Sequence, residues 1–84
     1  MESEFTVLLR RFLPFAGVQE LTGESRLFDL GLDSMQSVEL LFAIEDTYGV
    51  ELPPELLVDA TFETAGALWR AVSRVREAAA EPAS

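Results

Sequence analysis

Hydrophobic positions along the chain recur at helical spacing. Near the start, Phe5, Leu8, Leu9 and Phe12 fall at i, i+3, i+4 and i+7, which places them on one face of a helix. Ser3 stands where an N-cap belongs, Glu4 suits the first turn, and Arg10 and Arg11 suit the last. Pro14 cannot continue this helix and disfavours helical geometry at Leu13. A long connection over residues 15–33 follows, with Gly17, Gly23 and Gly31 in it. Its apolar run is too short for a strand, and Leu21, Leu27, Phe28 and Leu30 are expected to tie it to the core.

The second helix is predicted over Ser34–Tyr48. Asp33 is its N-cap, Gln36 completes a capping-box pattern, and Gly49 ends it. Its apolar residues form two faces. Leu40, Leu41, Ile44 and Tyr48 make the first, and one such face is all a helix on a small core needs. Met35, Val38 and Phe42 make the second, edged by Glu39, Glu45 and Asp46, and part of it is expected to be exposed.

Beyond Pro53, residues 54–58 read as one short turn, since proline suits a first helical turn. The last helix is expected to start near Thr61 as N-cap, with Phe62, Ala65, Leu68, Trp69 and Val72 inward. Gly66 inside it either permits a close approach or is merely tolerated. The pattern predicts an all-α four-helix bundle of three main helices and one short one, with a long first loop. Residues 1–77 form the domain and 78–84 a flexible tail.

Composition narrows the function. Eighty-four residues make one small domain, and 49% hydrophobic content is enough for a core. There is no cysteine, hence no disulfide and no thiol of the chain's own. The acidic start is unlike an export signal and no apolar run approaches a membrane span, so a cytoplasmic monomer is expected. The net charge of −9 argues against nucleic acid. All six basic residues are arginine, and none lies between Arg26 and Arg70, where nine acids do. That field is either a solubilising surface or one that steers basic partners.

Ser34 by itself is an ordinary helix-start residue. A catalytic serine fails on inventory: there is no histidine or lysine to act as base, and no Gly-x-Ser-x-Gly turn. Metal chemistry lacks histidine and cysteine ligands, and the acids at Asp29 and Asp33 lack the pattern of a calcium loop. The wider frame changes the reading. Leu30-Gly31-Leu32-Asp33-Ser34-Met35 resembles the phosphopantetheine attachment site of acyl carrier proteins. Val38-Glu39-Leu40, Gly49-Val50-Glu51-Leu52-Pro53 and Asp59-Ala60-Thr61 extend the similarity over residues 5 to 75.

The resemblance implies an acyl-carrier bundle, non-catalytic, with 4′-phosphopantetheine attached covalently at Ser34. It implies that Asp33 helps the loading phosphopantetheinyl transferase recognise the site. Met35, where carriers usually have leucine, packs beside the arm, under a partner, or in the core. Val38, Glu39, Phe42, Glu45 and Asp46 match the positions carriers present to their enzymes: an acyltransferase, a ketosynthase, or an acyl or aminoacyl ligase. Gly-Leu-Asp-Ser-Met is similar to discrete bacterial carriers of polyketide or related secondary metabolism. An aminoacyl or peptidyl carrier is one alternative, and an acidic helical interaction module without a prosthetic group is another.

Overall fold

A computed structural model describes residues 3–17 and 20–80 of the chain. Among them are α1 (Ser3–Arg10), α2 (Ser34–Tyr48), α3 (Asp59–Phe62) and α4 (Ala65–Ala80), with one 3₁₀ turn at Pro54–Leu56. The bundle is all-α, as the periodicity predicts. Phe5, Leu8 and Leu9 of α1 meet Leu40, Leu41 and Ile44 of α2, with Phe62 of α3 and Ala65, Leu68 and Val72 of α4. Each fully buried leucine, isoleucine or phenylalanine contributes about 1.5–3 kcal/mol. Phe5, Tyr48 and Trp69 close one end, with the Phe5 and Trp69 rings 4.8 Å apart and the Arg76 guanidinium 4.7 Å above Tyr48. Trp69 thus stands at the edge of the core, packed against it.

The boundaries of α2 are those the sequence predicts, because both caps are local. The ends of the other helices differ. Ser3 is the first residue of α1 rather than its cap, and Arg11 and Phe12 lie in the turn after it. The last helix does not start at Thr61: that residue lies inside α3, and α4 begins after a break at Glu63 and Thr64. Thr64 is the residue that caps α4, its Oγ1 accepting from Ala67 N–H at 3.1 Å. At the other end α4 continues through Ala78 to Ala80, and residues 81–84 of the expected tail lie outside the described residues.

What breaks the helix is the long first loop. Ala65 N–H donates to Ser25 O at 2.9 Å, Gly66 N–H to Gly23 O at 2.9 Å, and Leu27 N–H to Glu63 O at 3.2 Å. The loop therefore satisfies the orphan donors of the first turn of α4. Leu13, Ala16, Leu21, Leu27 and Leu32 are buried along it, and Leu30 packs against the core. Phe28 departs from expectation: it is 41% exposed.

Gly66 is present for close approach. A Cβ there would stand 2.7 Å from Gly23 O and 3.0 Å from Gly23 Cα. A Cβ on Gly23 would meet only Gly66 Cα, at an ordinary 3.7 Å. Gly66→Ala is expected to lower the melting temperature, although alanine is the better helix former by about 1 kcal/mol. Gly23→Ala should leave it nearly unchanged, and thermal denaturation of the two variants side by side checks both. On the apolar side, Leu40→Ala or Ile44→Ala should cost roughly 2–5 kcal/mol in denaturant titration, since both residues are fully buried.

Candidate functional site

The site is built by the end of the loop and the first turn of α2. Gly31 has φ of +107°, and a Cβ on it would lie 2.7 Å from Pro14 Cγ. Only glycine meets both conditions. Phe15 N–H donates to Leu30 O at 2.9 Å, so the chain crosses itself just before Leu32 drops into the core. Asp33 follows in extended conformation, and its Oδ1 accepts from Gln36 N–H at 2.8 Å. Its carbonyl accepts from the Ser37 N–H and hydroxyl, both at 2.8 Å.

Ser34 is the first residue of α2 and is exposed. Its hydroxyl has no partner among the described residues. The N–H groups of Ser34 and Met35 have no acceptor within the helix, and they sit at the positive end of its dipole. Asp33 turns a carboxylate oxygen onto Gln36 N–H, engaging charge that would otherwise oppose an anion on Ser34. Such a helix start favours a phosphate ester.

Beside Ser34 is an open groove of about 200 Å³, lined by Phe28, Val38, Leu41, Leu57, Val58 and Phe62, with Ser37 and Asp59 also facing it. Of these the sequence reading singled out only Val38 for the site. Leu57 and Val58 read there as parts of a turn, and Phe28 as a core tie. Their assembly depends on the loop and α3 meeting over α2.

The second face of α2 is exposed throughout: Met35 at 81%, Val38 at 52% and Phe42 at 60%. Core packing of Met35 is thereby ruled out. Glu39 and Asp46 are exposed along this face. Glu45 is half-buried, and its Oε2 accepts from Leu52 N–H at 2.8 Å. This carboxylate holds the loop after α2, so at least one of its oxygens is turned inward.

Residues 4–72 match the family model described as the phosphopantetheine attachment site. The lincomycin biosynthesis protein LmbN of Streptomyces lincolnensis is 38% identical over 73 residues, 86% of this chain and 26% of LmbN. The non-reducing polyketide synthase AC of Didymella fabae is 44% identical over 41 residues, 49% of this chain and 2% of the synthase. The chain thus spans about a quarter of the first relative and a small fraction of the second. A solved structure of an engineered Bradyrhizobium japonicum glycine–carrier protein ligase, complexed with carrier protein from Agrobacterium tumefaciens and AMP, contains a similar chain. The TM-score is 0.74 at 28% identity, covering 87% of this chain and 99% of that one. The complex of the Bradyrhizobium japonicum ligase with its cognate carrier protein matches with a TM-score of 0.71 at 22% identity, covering 84% and 92%, a likeness of fold.

The cap on α2 can be tested apart from any chemistry. Asp33→Ala is expected to cost about 1 kcal/mol in chemical denaturation, and Asp33→Asn only a few tenths, because asparagine caps nearly as well.

Proposed function

Since the chain belongs to the phosphopantetheine attachment site family and is a carrier protein, we propose that Ser34 holds its 4′-phosphopantetheine and that the exposed face of α2 presents the loaded carrier to its enzymes. The covalent prosthetic group supplies a thiol on which intermediates are held as thioesters. The observation that carries the assignment is the free, exposed Ser34 hydroxyl at the start of a capped fifteen-residue helix. In loading, Ser34 Oγ attacks the pantetheine-side phosphorus of coenzyme A, and the pyrophosphate P–O bond breaks to release adenosine 3′,5′-bisphosphate. Its proton passes to a base on the phosphopantetheinyl transferase. Asp33 fixes the first turn around that hydroxyl.

The domain works as a non-catalytic monomer in the cytoplasm. Its cargo is an acyl intermediate of polyketide or related secondary metabolism, handed between an acyltransferase and a ketosynthase. The similarity to LmbN and to a polyketide synthase supports that assignment. A second reading, an aminoacyl carrier loaded by an adenylating ligase, is supported by the likeness to the chain in the glycine–carrier protein ligase complex with AMP. Intact mass of the holo protein after incubation with such a ligase, ATP and glycine, against an acyltransferase with an acyl-coenzyme A, separates the two.

With coenzyme A and a broad-specificity phosphopantetheinyl transferase, the protein is expected to gain the mass of one arm. Ser34→Ala should abolish the gain and keep the fold. Ser37→Ala should retain it, since the Ser37 hydroxyl is already bonded to Asp33 O. A gain that survives Ser34→Ala would sink the assignment. On the docking face, Glu39→Arg and Asp46→Arg are expected to slow transfer to partner enzymes, most at low ionic strength, with unchanged melting. Glu45→Arg differs: it removes the acceptor for Leu52 N–H and should lower the melting temperature as well.

A further inference from the structure

A second groove, of about 480 Å³, runs between α4 and the segment carrying the 3₁₀ turn and α3. It shares no lining residue with the groove beside Ser34. Its walls are mostly apolar: Leu56 on one side, and Ala67, Ala71 and Val75 along α4 on the other. Arg70 and Arg74 line it one helical turn apart. Both are exposed, and neither makes an ion pair or hydrogen bond among the described residues. Glu55 is the one acid among its lining residues.

The charge here runs against the rest of the molecule. The chain carries −9 overall, and residues 27–69 hold nine acids and no basic residue. Three of the six arginines are on α4, and Arg76 is occupied over the Tyr48 ring. Arg70 and Arg74 are left as an unpaired cationic pair bordering an apolar trough. Like charges one turn apart repel each other in a helix, and no ion pair or hydrogen bond among the described residues offsets this.

We propose that this groove docks an acidic amphipathic helix of a partner protein, through an aliphatic face set against Leu56, Ala71 and Val75 and carboxylates spaced i, i+4 against Arg70 and Arg74. The trough follows α4 from Ala67 to Ala78, a length of roughly 16 Å at 1.5 Å per residue. Its alanine floor lets a second helix approach closely, and ridge-into-groove packing supplies the contact. An extended peptide would find no strand edge to join among the described residues. Nucleic acid is repelled by the net charge. Basic partners are drawn to the acidic α2 side, so the two surfaces select partners of opposite charge and can be occupied together.

The test uses the full chain, ¹⁵N-labelled, titrated with two short capped helical peptides. One carries leucine and alanine on one face and glutamate in i, i+4 pairs along the edge of that face. The second has lysine for every glutamate. The glutamate peptide is expected to shift amides within residues 53–61 and 67–78 and to bind more weakly as salt rises. Arg70→Glu/Arg74→Glu should weaken it about tenfold or more, the effect of losing two rim ion pairs. Both arginines are exposed and unpaired, so that variant should melt like the parent; if it does not, Arg70→Gln/Arg74→Gln repeats the measurement. Shifts on α2 instead, equal binding of the lysine peptide at this groove, or no shift with either peptide would overturn the proposal. Loading at Ser34 is unaffected by any of these outcomes.

Discussion

Three backbone hydrogen bonds join the long first loop to the residues that open α4, and the placement of Ser34 depends on them. Ordering a connection of this length costs conformational entropy at every residue, and without these bonds the start of α2 would lack a fixed approach. Here the carbonyls of Gly23 and Ser25 accept from the first two N–H groups of α4, and Glu63 O accepts from Leu27 N–H. The loop gains order from groups the helix must satisfy in any case. From that anchor, buried Leu27 and Leu32 lead the chain over Gly31 to Asp33. The position of the serine is thus set by contacts with residues 63–66, some thirty residues further along the chain.

That dependence explains which features were legible in the sequence. The α2 helix was readable at both ends because Asp33, Gln36 and Gly49 act on their own neighbours. The place of Ser34 as its first residue was readable for the same reason. The start of α4 was not. Thr61 and Thr64 are equally good caps by composition, and the choice between them is made by the loop backbone at Gly23 and Ser25. Gly66 had two readings that only the 2.7 Å approach to Gly23 O separates. Glu45 looked like its acidic neighbours on a helical wheel, and its bond to Leu52 N–H, seven residues on, has no periodic signature. Phe28 looked like core because loop aromatics usually are. It instead lines the groove beside Ser34 together with residues of α3.

The absence of cysteine, histidine and lysine gives the chain a particular division of labour. It has no thiol, imidazole or amine side chain to serve as nucleophile or base. What it does have is a hydroxyl held where a phosphate ester is electrostatically welcome. The phosphopantetheine of this family brings a thiol that the chain itself lacks.

The same reasoning separates stability from recognition along α2. Leu40, Leu41 and Ile44 are buried, whereas Met35, Val38 and Phe42 lie on the other side of the same helix in water. Exposed apolar side chains contribute little to holding the fold together, so the second face can vary without loss of the bundle. Glu45 marks the limit of that freedom, because it sits on the boundary and holds the loop after the helix. The second face begins within one turn of Ser34 and runs toward the far end of the helix, and its residues are free of the demands of folding. The exposed face can therefore change in sequence while Asp33 and the buried face keep Ser34 where it is.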